Sequence, residues 1–286
     1  MLAIAKKPIL FPAYFILLSL TMSLGLVQCA GFFKGAGEVL VSDEDERKLG
    51  AQFHQTLLTN DTARQEFPLF VPKDQAQADL QNYVVGLCQR TLAAVPAKDR
   101  PKYDFTFTII DKDVENAFAV PGGYVYIYTG ILKKFEDESE LAGVIGHEIT
   151  HVTHHHFRES LAKNAALGLS LQVLLGSTNA GQLSQMAAGT FFQLAGLKFS
   201  RSAEAEADKG GTLILARMGL NPLGIAKYFS RSKGQGVPEW LADHPGPRNR
   251  VKAIDEYVEA NPNLSQLAAD SVHTNHRDEF QSRVNL

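Results

Sequence analysis

Cysteine is almost absent from this sequence, whose 286 residues include only Cys29 and Cys88. If Cys29 is lipidated, or is removed with the N-terminal segment, Cys88 has no partner, and we expect no internal disulfide. Cys88 lies among apolar residues such as Val84 and Leu87, which favours a small buried side chain over a reactive thiol. The scarcity of cysteine therefore excludes a disulfide framework and a metal site built from thiolates.

Strong net charge and internal repeats are also lacking. The 28 basic and 31 acidic residues give a formal net charge of −3, which provides no electrostatic reason to expect a nucleic-acid partner. The chain contains no internal repeat, no heptad array and no low-complexity tract. With 45% hydrophobic residues, a chain of this length can bury one sizeable core or at most two.

The first 29 residues have the features of an export signal. Lys6 and Lys7 precede an apolar stretch, residues 8–27, that is also long enough to span a bilayer. Leu26-Val27-Gln28-Cys29 resembles a bacterial lipobox, although a small residue is usual at the position of Gln28. Three interpretations stay open: a lipoprotein signal, an uncleaved single-span anchor and an ordinary cleaved signal peptide. Each of them exports the domain that follows.

The rest of the chain divides into a tether, one domain and a tail. Residues 30–40 are rich in Gly and Ala, as a tether between membrane and domain would be. Residues 41–260 form the predicted domain, and residues 261–286 are polar and are expected to be poorly ordered. Residues 161–199 are rich in Ala, Leu, Gly and Gln, and they favour either a packed helical hairpin or a mobile lid or membrane-contacting element.

Periodicity predicts an α+β fold that is predominantly helical. Apolar residues recur at helical spacing in residues 74–94 and after Asp137, whereas residues 103–110 and 124–128 are rich in β-branched and aromatic residues. Pro121-Gly122-Gly123 predicts a turn before the second of these β-rich runs. We therefore expect a small antiparallel sheet beside the helix that begins near Asp137.

That helix carries His147-Glu148-Ile149-Thr150-His151. Residues four apart share one helix face, so the two histidines lie roughly 6 Å apart along the axis and can bind one Zn²⁺. Glu148 lies about 100° further round the helix, where it can reach a water on the metal without being a ligand. This is the geometry of metal-assisted peptide hydrolysis.

A catalytic zinc needs a third protein ligand, and a later histidine of the same helix is one candidate. His155 follows His151 by four residues, but on a straight helix it lies about 12 Å from His147, too far for one ion to bridge. No glycine lies nearby to break the helix and bring a later histidine back. We therefore expect His154, His155 and His156 to form a solvated helix end.

Glu204 is the better candidate for the third ligand. Glu204 and Asp208 are four residues apart and share a helix face, whereas Glu206 points nearly the opposite way and suits a solvated surface. One carboxylate of the pair can bind the metal while the other supports the site. Asp208 can accept a hydrogen bond from the distal ring nitrogen of a ligand histidine.

Together these motifs resemble a known family. A His147-Glu148-x-x-His151 helix followed by Ser200-Arg201-x-x-Glu204-x-x-x-Asp208 is similar to the HtpX-like and CAAX prenyl endopeptidase family of zinc metallopeptidases, which are gluzincins. The likeness extends to Asn116–Gly123, which resembles the family's segment leading into its active-site edge strand. It extends also to His244-Pro245 with Arg250 six residues later. The matches cover residues 41–260 in the family's order.

The resemblance implies a zincin-type domain with one Zn²⁺ per chain. The implied zinc ligands are His147, His151 and Glu204. Glu148 would be the general base, and Asp208 would orient a ligand or donate a proton. His244 would approach the metal, either as a displaceable fourth ligand that keeps the enzyme latent or as a stabiliser of the oxyanion. Arg250 would orient the loop that carries His244, unless it is a surface arginine.

The resemblance also implies an exported, membrane-tethered zinc endopeptidase. The prenyl-protease branch is polytopic, whereas this chain has one span at most, and it is similar instead to exported bacterial members associated with quality control of envelope proteins. The expected substrates are unfolded or misassembled proteins on the periplasmic side. They would pair with the strand at residues 124–128, with Asn116, Gly123 and Tyr124 in support. The alternative is a chaperone-like envelope assembly factor with a latent protease site gated by His244.

Overall fold

A computed structural model describes residues 41–166, 196–231, 240, 244, 247–270 and 275–284. The predicted signal or anchor, the predicted tether and most of the predicted hairpin at residues 161–199 lie outside these described residues. The helices, numbered over the described residues, are α1 (Asp43–Thr59), α2 (Asp61–Glu66), α3 (Gln75–Ala93), α4 (Thr129–Leu132), α5 (Glu138–Thr153), α6 (His156–Ala166), α7 (Arg201–Arg217), α8 (Gly224–Arg231), α9 (Pro247–Glu259), α10 (Pro262–Asp270) and α11 (Arg277–Val284). The strands are β1 (Thr106–Ile110), β2 (Ala117–Val120) and β3 (Tyr124–Tyr128). Within these ranges, none of the helices combines the length and the apolar character of a bilayer span.

The three strands form a mixed sheet in the order β1-β3-β2. β2 and β3 are antiparallel, as expected, because the chain reverses at Gly122 and Gly123, which adopt positive φ angles of 83° and 87°. β1 lies on the other side of β3 and runs parallel to it, with Thr106 opposite Tyr124. The connection at residues 111–116 carries the chain from one edge of the sheet to the other. An all-antiparallel sheet is therefore not formed.

Helix α5 lies at the centre of the fold. Asp137 caps its start by accepting a hydrogen bond from the backbone N–H of Ser139 at 2.9 Å. All of its residues except the last are buried, because the sheet, α3, α7 and α8 pack against different sides of it. Fully buried apolar side chains on this helix include Leu141, Val144 and Ile145. The histidine motif therefore lies in the protein interior.

Helix α7 packs closely against α5 because glycine removes the side chain at their contact. A Cβ atom on Gly211 would lie 3.0 Å from the carbonyl oxygen of Gly143 and 3.2 Å from the backbone nitrogen of His147. Ser200 caps the start of α7 by accepting a hydrogen bond from a first-turn backbone N–H. The close approach brings Glu204, in the first turn of α7, against the histidine motif.

The expectation that the polar tail is poorly ordered is wrong for its described part, which forms α10 and α11. Phe280 of α11 is fully buried and packs near Tyr83 of α3, with ring centroids 6.3 Å apart. Buried Glu138 accepts hydrogen bonds from Tyr83 and Arg90 and pairs with His276 at 2.9 Å. A few well-placed side chains thus dock helices whose overall composition is polar.

Candidate metal centre

The two histidines of the motif lie side by side in the interior. The Nε2 atoms of His147 and His151 are 2.9 Å apart, and both side chains are fully buried. Burial lowers the pKa of His151 well below its ordinary value, and the neighbouring histidines add to this effect. The ring is therefore neutral near pH 7, which is the state in which an imidazole nitrogen binds a metal.

Glu204 faces both histidines from α7. Its Oε2 lies 3.6 Å from Nε2 of His147, and its Oε1 lies 3.6 Å from Nε2 of His151. Burial would raise the pKa of Glu204, but His244, His147 and Arg250 together lower it below its ordinary value. Oε2 contacts Arg250 at 3.1 Å, yet among the described residues it accepts no hydrogen bond. A buried oxygen in this condition is unusual, and it suits a metal ligand.

The spacing and charge of these atoms fit one divalent cation. Ligand atoms about 2.0–2.1 Å from a tetrahedral metal lie about 3.3 Å apart. Here the two histidine nitrogens are 2.9 Å apart, and each lies 3.6 Å from one of the two carboxylate oxygens of Glu204. Glu148, Glu204 and Asp208 bring three buried carboxylates to the site, where the guanidinium of Arg250 is also buried. A divalent cation would add positive charge to this acidic group. Two imidazoles and one carboxylate are the ligands of many catalytic zinc sites.

Asp208 and Arg250 hold His147 from its far side. Oδ1 of Asp208 lies 3.0 Å from Nδ1 of His147, and Asp208 accepts hydrogen bonds from Nε and Nη2 of Arg250 at 2.8 and 2.6 Å. Burial would raise the pKa of Asp208, but the Arg250 guanidinium and His147 hold it well below its usual range. A carboxylate at this distance can accept a proton held on Nδ1 of His147, which would leave Nε2 for a metal. Nη2 of Arg250 also lies 3.3 Å from this Nδ1. Arg250 is only 6% exposed, which excludes a surface arginine.

His244 reaches the same group of ligand atoms. Its Nδ1 lies 3.2 Å from Nε2 of His147 and 2.9 Å from Oε1 of Glu204, so its ring occupies the position of a fourth ligand. Nη1 of Arg250 donates a hydrogen bond to the backbone oxygen of His244 at 3.0 Å and holds this residue in place. Burial lowers the pKa of His244, but Glu204 and Glu148 raise it above its ordinary value.

Both carboxylate oxygens of Glu148 have hydrogen-bond partners. Oε2 accepts from the backbone N–H of Ala119 at 3.0 Å, and Oε1 accepts from Nε1 of Trp240 at 2.9 Å. Ala119 lies in β2, an edge strand of the sheet, and Trp240 is fully buried. Nε2 of His244 is 3.4 Å from Oε1 of the same carboxylate. Glu148 therefore lies between the sheet edge and the metal-ligand atoms, and Trp240 covers it.

The expectation of a solvated helix end is wrong for His156. His155 adopts a left-handed φ of 54° without being a glycine, and this ends α5 and starts α6. Its ion pair with buried Glu46, at 2.6 Å, helps to offset a cost of about 1–2 kcal/mol for that conformation. The reversal turns His156 inward, where its Nδ1 lies 2.8 Å from Nδ1 of His151. Burial lowers the pKa of His156 to about 4, whereas the His154 side chain stays 39% exposed.

Three further candidates from the sequence lie around the sheet. Asn116 precedes β2 and is buried, Gly123 forms the turn, and Tyr124 stacks on His54 with ring centroids 4.9 Å apart. β3 is paired on both sides, so the expectation that residues 124–128 accept a substrate strand is wrong. The edge strand beside Glu148 is β2.

Comparison with known protein families identifies the family to which the chain belongs. The sequence pattern described as peptidase family M48 matches residues 75–258, more than half of the chain. The chain belongs to peptidase family M48. This membership confirms the family resemblance drawn from the sequence motifs, and M48 metallopeptidases depend on a metal. The matched residues contain every side chain of the centre described above.

Similar proteins come from bacteria and from mitochondria. The M48 chain is 32% identical over 185 residues to the beta-barrel assembly-enhancing protease of Yersinia pestis, covering 60% of the chain and 37% of that protein. The Escherichia coli (strain K12) protein of the same name is 30% identical over 188 residues, with the same coverage. Mitochondrial metalloendopeptidase OMA1 of Arabidopsis thaliana is 31% identical over 149 residues, covering 51% of the chain and 30% of that protein. The chain thus spans well under half the length of each of these relatives.

Trp240 and His156 are residues of this M48 centre that the sequence motifs do not predict. Trp240 is the single tryptophan of the chain, and the backbone N–H of His244 donates to its oxygen at 3.0 Å, one helical turn later. Its position four residues before a motif histidine is the sequence feature that could have identified Trp240. For His156, the turn at His155 gives no comparable signal, because no glycine marks it.

Proposed function

We propose that this chain is an exported, membrane-tethered zinc endopeptidase that cleaves unfolded or misassembled proteins of a bacterial envelope. The observation that carries the enzymatic part is the buried group of His147, His151 and Glu204 with the Glu148 carboxylate beside it. Membership of peptidase family M48 supports peptide hydrolysis. The relatives named beta-barrel assembly-enhancing protease support an envelope substrate.

The chemistry divides between the metal and the protein. Bound Zn²⁺ supplies a Lewis acid for the scissile carbonyl and lowers the pKa of water. Glu148 takes a proton from the attacking water and returns a proton to the leaving amine nitrogen. Asp208 keeps the proton of His147 on Nδ1, so that Nε2 stays available as a ligand. His244 is near enough to Glu148, at 3.4 Å, to donate to an oxyanion when it is not itself a ligand.

The outer edge of β2 is the proposed binding surface for substrate. No described strand pairs with that edge, and an unpaired strand edge can bind an extended peptide through backbone hydrogen bonds. All four residues of β2 are buried, so the edge would have to be uncovered first. The backbone N–H of Ala119 already points to the Glu148 carboxylate, so a peptide along this edge would pass the general base. Backbone pairing selects unfolded segments over folded proteins and shows little preference for sequence.

Trp240 and His244 support a closed resting state. Trp240 covers Oε1 of Glu148, and Glu148 is only 1% exposed. These residues would have to move before a peptide could reach the base. The same observation favours the second candidate function, a chaperone-like envelope assembly factor that binds clients and keeps its protease site latent through His244.

Glu148→Gln tests the assigned base. The variant should retain zinc but cleave casein about 10²–10⁴-fold more slowly, because the amide cannot accept the proton. Glu44→Gln is the matched control, since its side chain is 51% exposed and lies outside the centre. Casein cleavage at the wild-type rate by Glu148→Gln would exclude Glu148 as the base.

His244→Ala separates the two candidate functions. Faster casein cleavage than wild type indicates a latent protease whose site His244 closes. No cleavage by either chain, with zinc bound in both, favours the binding function. Mass spectrometry of the mature N-terminus tests the tether, because lipidation would appear as added mass on Cys29.

A further inference from the structure

His156 and Glu206 lie behind the second metal-ligating histidine. Nδ1 of His156 is 2.8 Å from Nδ1 of His151, and Nε2 of His156 is 3.2 Å from Oε2 of Glu206. His156 is 4% exposed, whereas the Glu206 side chain is 44% exposed. A chain of contacts therefore runs from the surface of α7 through α6 to a ligand on α5.

The protons along this chain of contacts can be assigned if His151 binds the metal as proposed above. With Nε2 of His151 on the metal, its Nδ1 carries the proton. Two nitrogens 2.8 Å apart share one proton, so Nδ1 of His156 is the acceptor. A neutral His156 then has its own proton on Nε2, which faces the Glu206 carboxylate. The Nδ1–H of His151 and the Nε2–H of His156 each have an acceptor in this arrangement.

We propose that Glu206 and His156 are positioning residues that hold His151 in the tautomer and orientation needed to bind the metal. The arrangement has a counterpart on the other ligand, where Arg250 and Asp208 hold Nδ1 of His147. Each ligand histidine is thus supported at its far nitrogen by a different element. Glu206, which the sequence pattern assigns to a solvated face, acts on the centre through His156.

A second metal site is the competing interpretation, because His154, His156 and Glu206 have ligand atoms within 4.8 Å of one another. A metal on Nε2 of His156 would force the proton of that ring to Nδ1. This proton would face the Nδ1 proton of His151, 2.8 Å away. A second metal would therefore oppose the binding of the first, whereas the hydrogen-bonded series is compatible with it.

Zinc affinity of the purified full chain tests the proposal, measured by competition with a chromophoric chelator. His156→Phe and Glu206→Leu should weaken zinc binding about 10–100-fold, as is typical for partners of ligand histidines. Glu206 is on the surface, so Glu206→Leu keeps the test valid if His156→Phe fails to fold. His154→Ala is the matched control, because His154 pairs with the other carboxylate oxygen, Oε1 of Glu206, at 2.9 Å. Its zinc affinity should stay within about twofold of wild type.

Nitrogen-15 spectra of histidine-labelled, zinc-loaded chain give an independent result. We expect His156 to carry its proton on Nε2 and His151 on Nδ1. Unchanged zinc affinity in Glu206→Leu, or a proton on Nδ1 of His156, overturns the positioning role while leaving the metal centre intact. Two zinc ions per chain, with one lost in His154→Ala, also overturn it, in favour of a second metal. A wild-type chain that binds no zinc overturns the proposed function and this inference with it.

Discussion

Replacing Arg250 with methionine tests how the fold keeps three carboxylates buried at one centre. Methionine has a similar length but removes the donors that contact Asp208, Glu204 and the His244 backbone. Removing one partner of a buried ion pair costs about 3–5 kcal/mol. For a domain of about 150–250 residues, 1 kcal/mol shifts Tm by about 2–4 °C. Zinc-loaded Arg250→Met should therefore melt about 6–20 °C below wild type.

Thermal unfolding followed by circular dichroism measures this difference. Lys252→Met is the matched control on the same helix, because its side chain is 78% exposed, and it should change stability by less than about 0.5 kcal/mol. The double variant Asp208→Asn/Arg250→Met removes both charges of the pair, so its loss should be smaller than the sum of the single losses. If Arg250→Met melts together with Lys252→Met, the reasoning from buried charge is refuted.

Three further predictions concern the third ligand, the C-terminal helix and the buried thiol. Glu204→Ala should lower bound zinc well below one ion per chain by metal analysis, and unchanged zinc content would contradict its role as a ligand. Phe280→Ala should lower the free energy of unfolding in urea by about 3–5 kcal/mol, because the Phe280 side chain is fully buried. Arg283→Ala, at an exposed position of the same helix, should change this free energy little. Equal urea midpoints for the two variants would show that α11 is not docked. Burial raises the pKa of the Cys88 thiol far above its ordinary value, so in a Cys29→Ser chain Cys88 should react with iodoacetamide at pH 8 only after unfolding. Rapid labelling of the native chain would contradict that burial.

Local geometry made part of the centre predictable from the sequence. His147 and His151 lie on one helix face because they are four residues apart, and the same spacing pairs Glu204 with Asp208. Asp137 and Ser200 cap the two helices as side chains of their type commonly do. Such features depend on a few neighbouring residues, so the local amino-acid sequence is enough to predict them.

Features that depend on distant parts of the chain were not predictable in this way. The parallel direction of β1 follows from a connection that crosses the sheet, and Phe280 is apolar in a segment whose composition is polar. The inward turn of His156 depends on a strained His155 and on its ion pair with Glu46, more than a hundred residues earlier. In each case tertiary packing, not local preference, decides the conformation.

The residues of the centre are synthesised at different times, because they lie far apart in the sequence. His244 follows His147 by 97 residues, and Arg250 comes later still. A nascent chain that has already formed the histidine helix therefore lacks the guanidinium that pairs with Asp208 and the His244 ring that contacts Glu204. Fragments that stop short of Arg250 would not build a competent centre. Peptidase activity would therefore have to wait until Arg250 has been synthesised.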